Sequence, residues 1–547
     1  MSPILIRVAK VFCAALLFST VACNKSNSYS STNLYTAGEA PLGIKFLDNA
    51  LVPASGAENS TVSVGIQGLK KYAGELQIAV NGTPVTSIKS ITDSMLVFSI
   101  PKWASTGAVT VQVKDQMFFG PVFKVEGKLR SDVSFRVING ATGGGIYDFV
   151  PNASGYILAG SFSDYEYTNS GTTYGGLVQV DPNGVFLHKY GRGANTGSIN
   201  SLALVPGTGK LMIAGNISLY DTFPSRPNIY NIARIDPISS LLDTMKSLVN
   251  STQPLSPPDT AIVSAFNGGS AGTISKVFIQ PASAGGKIVA VGSNIYGYQS
   301  VYYPKSTLLT AWTDFARINS LVRMNYNGSI DSTYNYSVVP GSGLNGLITD
   351  AYMLNDGSII VVGLFTSFNG KSIPHGIAKF NADGTIDNAF GGLGCDGIIS
   401  SITYNGTNFL LTGSFKNFNG TSANGVVMLN SDGSVNTAFK CGQITGGSAN
   451  YAVQLSAASN NYVIVTGSFN KYTDNVNPTV IKQGFMVLDQ NGNLVPAYNN
   501  MGLFEGTTKK IIETTNSLGH PAIMMVGNIS KFDGKPAGNI VRIEILK

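Results

Sequence analysis

The chain has 547 residues, and 63 glycines, 24 tyrosines and 27 phenylalanines stand beside only 12% charged residues. Domains cluster near roughly 100–150 residues, so this length predicts more than one folded domain. The net charge of +6 is small and no run of Lys or Arg exceeds two residues, which argues against a nucleic-acid partner. The many glycines and the scarcity of helical periodicity indicate an all-β fold rich in turns.

Residues 1–22 have the three parts of an export signal. Arg7 and Lys10 form a short basic region, Val11 to Phe18 form an apolar stretch, and a small-residue cleavage site follows. The apolar stretch is shorter than the roughly 20 residues that span a bilayer, so we do not expect a permanent transmembrane helix.

The sequence TVAC at 20–23 resembles a lipobox, with threonine where leucine is usual. The resemblance implies cleavage before Cys23, lipid on that cysteine, and a membrane as a partner. Residues 23–41 are polar and aperiodic, which predicts a flexible tether. The protein would then lie in the cell envelope, anchored to the outer membrane and facing the exterior. The alternative is soluble secretion after an ordinary signal-peptidase cut.

The folded part retains two cysteines, Cys395 and Cys441, because Cys13 leaves with the signal and Cys23 carries the lipid. An exported pair can oxidise, so a disulfide between them is one expectation. Two separate thiols are the other, because the sequence does not show whether their Cα atoms lie within roughly 7 Å of each other.

Residues 42–127 read as short strands, in which apolar residues alternate with others from Val62 to Ile66 and from Val109 to Val113. Strands of this length and spacing predict an immunoglobulin-like β-sandwich. The order of TVSVGIQGL, IAVNGTPV, MLVFSIP, GAVTVQV and GPVFKVEG resembles a TIG/IPT domain, a family that often precedes other modules in cell-surface proteins. That family brings no catalytic residue.

Residues 131–547 repeat themselves. The clearest unit, DGSIIVVGLFTSFNGKSIPHGIAKFNADGTIDNAF at 356–390, is echoed at 407–439 and more weakly at the end of the chain. Each unit reads as four strands joined by glycine-containing turns, which predicts a β-propeller blade. Seven units align on a glycine that follows an apolar strand: Gly160, Gly215, Gly292, Gly363, Gly413, Gly467 and Gly527.

The last unit has only three predicted strands, and the strand that it lacks matches SDVSFRVINGATGG at 131–144. Both chain ends would then pair in one blade, which closes the ring and leaves no exposed edge there. We therefore predict a propeller of seven blades. The repeats resemble the delta-60-type propeller repeat, closely over 328–439 and loosely over 145–325. Together with the TIG-like module and the lipobox, the repeats resemble Bacteroidetes lipoproteins of unknown function. This resemblance implies display on the cell surface, and genes for glycan uptake are one expected kind of neighbouring gene.

No catalytic pattern emerges from the repeats. The three histidines, His188, His375 and His520, fall in different blades at no ligand spacing, so we predict neither a metal nor a Ser-His-Asp site. Acidic turns such as NADGTID could suggest calcium, but Asn/Asp-Gly is also what a tight β-turn needs sterically. We expect no cofactor and no catalytic residues. An enzyme built on a propeller is the less favoured alternative.

Three long loops rich in aromatic residues fall on one face of the predicted propeller, in adjacent blades. Exposed aromatic rings suit stacking on sugars or anchoring a protein. We therefore predict a non-catalytic surface protein that binds a glycan through this face; the alternative is an adhesion or scaffolding module with a protein partner. A further alternative is that the rings pack together and hold the loops down. The candidate ligand-binding residues are Tyr165, Tyr167, Tyr220, Tyr230, Tyr296, Tyr298, Tyr302, Tyr303 and Trp312.

Overall fold

A computed structural model describes residues 41–47, 51–168, 174–190, 197–220, 229–253, 256–335 and 342–546. The predicted signal and Cys23 lie outside these residues. Within the described ranges the chain is all-β, and its only helices are the 3-10 turns Lys70–Tyr72, Ala282–Ala284, Tyr303–Lys305 and Ala457–Ser459. No helix in this part of the chain is long and apolar enough to cross a membrane.

Residues 46–127 fold as two sheets. The strands of the first are Thr61–Gln67, Met95–Ser99 and Ile88–Ile91, and those of the second are Ser55–Gly56, Gln116–Val125, Gly107–Val113, Leu76–Val80 and Thr83–Pro84, each in spatial order. Successive side chains of a strand point to opposite faces. The apolar alternation seen in the sequence therefore buries Val62, Val64 and Ile66 in the first sheet and Val109, Val111 and Val113 in the second.

From residue 129 onward, the described residues form seven antiparallel sheets that follow one another along the chain. In chain order their strands are Ile146–Asn152, Gly155–Gly160, Leu177–Val180 and Phe186–Lys189; Gly197–Leu204, Leu211–Ile217 and Ile232–Ile235; Lys276–Ile279, Ile288–Val291 and Leu321–Met324; Leu347–Met353, Ile359–Leu364, Ile377–Phe380 and Ile386–Asp387; Ile399–Tyr404, Asn408–Gly413 and Val426–Asn430; Ala449–Gln454, Val463–Gly467 and Phe485–Leu488; and Glu505–Thr515, Pro521–Phe532, Ile540–Ile545 and Leu129–Ser131.

Shorter strands form hairpins and small sheets within the connecting loops. They are Ala141–Thr142 with Asp164–Tyr165, Thr244–Val249 with Asp259–Ser264, Gly269–Ala271 with Gly297–Val301 and Thr313–Arg317, Ser367–Phe368 with Lys371–Ser372, Asn417–Phe418 with Thr421–Ser422, Gln443–Thr445 with Lys471–Thr473 and Val480–Ile481, and Lys535–Pro536 beside the seventh sheet.

The seven sheets close into a ring. The first strand of each sheet contacts the first strand of the next, and Glu505–Thr515 of the seventh contacts Ile146–Asn152 of the first. Strands that meet around a common axis in this way are the arrangement of a β-propeller. Leu129–Ser131 pairs with Ile540–Ile545 as the outer strand of the seventh sheet, so the early and late segments of the ring share one sheet, in agreement with the comparison of repeats.

A buried ion pair fixes this closing strand. Asp132 accepts a hydrogen bond from Arg542 at 2.5 Å, and both side chains are only 1% exposed. The guanidinium lies 4.9 Å from the centre of the Phe135 ring. The same grouping of cation, aspartate and aromatic ring recurs as Arg323, Asp331 and Tyr334 and as Lys379, Asp387 and Phe390. The repeated Asp-x-x-aromatic sequence therefore records an ion pair capped by a ring.

Buried hydrogen bonds join the sandwich to the sixth and seventh sheets. Lys482 Nζ donates to the carbonyl oxygens of Trp103 and Asn499, each at 3.0 Å. Asn500 Nδ2 donates to the carbonyls of Val125 and Leu129 at 3.2 and 2.8 Å. Burial lowers the pKa of Lys482 to about 7, because a charged ammonium is costly to remove from water.

The glycine that aligns the repeats has a steric cause. In six of the first strands one residue bulges out of register with the second strand, and the aligned glycine pairs with the residue just before it. A Cβ at Gly413 would lie 1.9 Å from the carbonyl oxygen of Ile398, closer than any side chain allows. The glycine is thus required by the approach of the bulged backbone. The bulged residues are Tyr147, Asn200, Thr349, Ser400, Asn450 and Lys509.

Candidate functional site

The bulged side chains line a channel at the centre of the ring. Together with Ser275, which occupies the equivalent place in the third sheet, they surround a cavity of about 430 Å³. A second cavity of about 520 Å³ continues from it and shares Lys276, Asp350 and Tyr451. A bulge re-aims its side chain relative to the regular strand, and here each one turns a polar residue toward the axis.

The residues that follow the bulges tie neighbouring sheets together. Lys510 pairs with Asp148 at 2.7 Å and Lys276 pairs with Asp350 at 3.3 Å. The same carboxylates accept backbone hydrogen bonds across the next junction, from Leu202 at 2.8 Å and Ile402 at 3.1 Å. Burial lowers the pKa of Lys276, but the carboxylates of Asp350 and Asp148 outweigh it, and the pKa is raised overall. These charges are satisfied within the ring.

Several polar groups of the channel wall, Lys509, Ser275 and Ser400 among them, are not satisfied in this way. Lys509 is exposed to the channel space, and in the part of the chain that the structure describes its ammonium has neither an ion pair nor a hydrogen bond. The hydroxyls of Ser275 and Ser400 likewise have no partner among the described residues. The channel therefore offers one uncompensated positive charge and free hydroxyl groups.

A second opening lies between the third and fourth sheets. It is a groove of about 950 Å³ whose walls include Asn294, Tyr296 and Asn319. An adjoining cleft of about 310 Å³ is formed by Tyr296, Phe315, Arg317 and Asn319. The rings of Tyr296 and Phe315 are 59% and 51% exposed, and their centres lie 6.3 Å apart at an interplanar angle of 38°. Both rings thus present apolar faces to solvent beside a guanidinium and amide groups.

The structure contradicts the predicted exposure of three candidate tyrosines. Tyr165, Tyr220 and Tyr298 are buried. Their hydroxyls donate to the carbonyl oxygens of Gly184, Ser240 and Gly328 at 2.8, 2.8 and 2.9 Å. A buried tyrosine needs such a partner, so these rings hold loops against turns, as the packing alternative states. Tyr165 and Tyr220 occupy the repeat position of Phe368 and Phe418 in the Phe-Asn-Gly loops, a signal that indicates a core position.

Three of the other candidate ligand-binding residues lie at one hairpin. Tyr296, Tyr302 and Trp312 are exposed and lie on or beside the hairpin formed by Gly297–Val301 and Thr313–Arg317. Lys305 lies over the rings of Tyr302 and Trp312, at 5.8 and 5.1 Å from their centres.

The three remaining candidates differ in exposure and neighbours. The half-buried Tyr230 shares a hydrogen bond of 2.9 Å with Thr313 of that hairpin. Tyr303 packs on a small cluster around Val249, and burial raises its pKa to about 12. Tyr167 is exposed in a different loop, after the second strand of the first sheet.

Phe315, Arg317 and the channel residues were missed by sequence reasoning. Phe315 and Arg317 stand in a strand outside the repeat pattern, so nothing in the sequence marks them as exposed. The channel residues leave one signal in the sequence. Each lies two positions after the residue whose backbone carbonyl faces the aligned glycine, and this spacing can be recognised only once the bulge is known.

The two cysteines do not form the expected disulfide. Cys395 and Cys441 are both free and buried. They belong to different core clusters, Cys395 beside Phe415 and Cys441 beside Tyr472. The structure therefore has the two cysteines as separate thiols. Burial raises the pKa of both thiols, that of Cys441 to about 12. Among the described residues no three His, Cys, Asp or Glu side chains are grouped so that they could hold a metal ion.

Comparison with known proteins agrees with the propeller architecture. Residues 354–390 and 410–439 match the family model described as a domain of unknown function (DUF5122) beta-propeller, which covers less than half of the chain. No curated protein sequence matches the chain.

Several solved structures are similar to the chain. The WD40 β-propeller domain of Doa1 is 13% identical over 76% of this chain and 96% of its own, with a TM-score of 0.37. An auxiliary nutrient binding protein from Bacteroides ovatus is 10% identical over 92% and 98%, with a TM-score of 0.30. A protein of unknown function from Bacteroides thetaiotaomicron is 10% identical over 93% and 98%, with a TM-score of 0.26. At these scores the likenesses carry no inference about function.

Proposed function

We propose that this protein binds a glycan, without catalysing a reaction on it, in the groove beside the Tyr296–Phe315 pair. The observation that carries the proposal is that two exposed rings share one cleft with Arg317 and Asn319 and open into a larger groove. Sugar rings stack on aromatic faces, while guanidinium and amide groups bind their hydroxyls. The volume of the groove, about 950 Å³, suits several sugar units.

One group in the groove, Asn294, and one in the adjoining cleft, Arg317, are available to a ligand. Asn294 and Arg317 are exposed and, within the described residues, their side chains have no hydrogen-bond or ion-pair partner. The groove is also open to solvent, between the loop after Ile288–Val291 and the loop before Leu347–Met353. An open groove with free polar groups favours a chain-like ligand over an enclosed cofactor.

The proposal includes the setting of the groove. The ring is a propeller of seven blades, residues 42–127 are an immunoglobulin-like TIG/IPT domain that acts as a spacer, and Cys23 is lipidated. The protein is displayed from the outer membrane toward the exterior. A protein partner is the second candidate, because the exposed Trp312 has the 83% exposed Leu309 nearby in the same insertion, and such apolar side chains also anchor protein interfaces.

The test uses the natively expressed protein, extracted in detergent, on a glycan array and in polysaccharide affinity gels. Replacing both Tyr296 and Phe315 by alanine should weaken binding by at least about tenfold, because stacking on two rings is lost. Tyr167→Ala, an exposed aromatic change in another loop, is the matched control and should leave binding unchanged. Failure to bind any polysaccharide would refute the glycan proposal, and equal losses in both variants would refute its location.

A further inference from the structure

The central channel carries a recognition site separate from the groove. The cavity lined by the bulged residues has a volume of about 430 Å³, which falls within the roughly 300–1,000 Å³ typical of small-molecule sites. It is lined by side chains from the first strands of all seven sheets, together with Asn528 from the second strand of the seventh. A site built on strands is held more precisely than one built on loops.

The charge of the channel defines the ligand. The ion pairs of Lys276 with Asp350 and of Lys510 with Asp148 compensate each other. Lys509 remains as a positive charge with no partner among the described residues, and it lines both cavities. A cation inside a channel attracts an anion more strongly than one on an open surface does, because less water surrounds it.

The free hydroxyls define the rest of the ligand. Ser275 and Ser400 reach the cavity from the third and fifth sheets and, within the described part of the chain, have no partner of their own. The amides of Asn200 and Asn450, by contrast, already donate to backbone carbonyls at 2.9 and 3.4 Å. Recognition therefore falls to one ammonium, to hydroxyl groups that can both donate and accept, and to the exposed amide of Asn528.

We propose that this channel binds a small hydroxylated carboxylate of monosaccharide size, such as a hexuronate, with the carboxylate on Lys509 and the ligand hydroxyls on Ser275 and Ser400. The site is independent of the groove, because it shares none of the groove's lining residues.

Calorimetric titration of the detergent-extracted protein with glucuronate, and with glucose as the neutral control of similar size, tests the proposal. Glucuronate should bind and glucose should bind at least about tenfold more weakly. Lys509→Met, which keeps the side-chain stem and removes the charge, should cause a loss of at least about tenfold in glucuronate affinity. Lys416→Met, at an exposed lysine outside the channel, should have no effect.

The proposal would be overturned by no heat with glucuronate at about 10 mM, by equal affinity for glucose, or by unchanged affinity in Lys509→Met. The groove variant with Tyr296 and Phe315 both replaced by alanine separates the two sites. It should bind glucuronate as the natural chain does; loss of glucuronate binding there would place the acid in the groove and remove it from the channel.

Discussion

Asp132→Ala tests whether closure of the ring depends on one buried ion pair. The change leaves the Arg542 guanidinium, 1% exposed, without its carboxylate, although its hydrogen bonds to the Pro182 carbonyl and the Ser134 hydroxyl remain. Breaking a buried pair by removing one partner costs about 3–5 kcal/mol, because an uncompensated charge stays buried. We expect the free energy of unfolding to fall by about that amount.

The matched control is Asp387→Ala, at the same repeat position of the fourth sheet. The ammonium of its partner Lys379 lies 3.3 Å from the Asp387 carboxylate. The Lys379 side chain is 18% exposed and the Asp387 side chain is 31% exposed. Such partly solvated pairs contribute about 0–1 kcal/mol. Urea unfolding followed by the fluorescence of Trp103, which is buried at the junction of sandwich and ring, measures both variants. Equal losses of unfolding free energy in the two variants would refute the argument that burial of the ion pair, and not its position in the repeat, determines the loss of stability.

Two pH dependences follow from buried groups. Burial lowers the pKa of Lys482 to about 7 from its ordinary 10.5. Between these two pH values the unfolded chain binds more protons than the folded chain, so Lys482 makes the free energy of unfolding rise with pH there. Lys482→Met should flatten that rise, measured as urea midpoints at pH 7 and 9. The hydrogen bond from Arg130 lowers the pKa of Glu544, although burial opposes it, so its contribution is present above the unfolded pKa and is lost as pH falls through the folded one. Glu544→Gln should remove this part of the acid sensitivity.

Clear results would contradict these two predictions. An unchanged slope between pH 7 and 9 in Lys482→Met would show that the ammonium is not desolvated at the junction. An acid unfolding midpoint that stays the same in Glu544→Gln would show that other carboxylates govern acid unfolding.

Much of the fold could be predicted from the sequence, because repeated turns and alternation recur at fixed spacing. The aligned glycines and the match between 131–144 and the outer strand of a repeat led to the ring and its closure. The site was less accessible. Tyr165 and Tyr298 were predicted to be exposed because they are aromatic and lie in long loops, whereas their hydroxyls reach turn carbonyls that only the fold brings near.

The channel could not be predicted because its residues are small, polar and far apart in sequence. Asn200 and Ser275 look like ordinary strand-edge residues until the bulge that re-aims them is known. Lys509 and Lys510 look alike in sequence, yet Lys510 pairs with Asp148 and Lys509 has no partner among the described residues. A shift of one residue in register decides which is which.

The pairing of an aligned glycine with a bulged neighbour separates two roles within each repeat. The glycine fixes the backbone, as at Gly413 and Gly527, where any side chain would strike the opposite strand. The bulged residue lines the channel: at Asn200, Thr349 and Asn450 its side chain donates to a backbone carbonyl at the next sheet, whereas at Ser400 and Lys509 it has no partner among the described residues. Positions of the second kind can change while the residues that specify the fold stay the same, and comparing them across the repeats of a related chain would indicate the chemistry of its ligand.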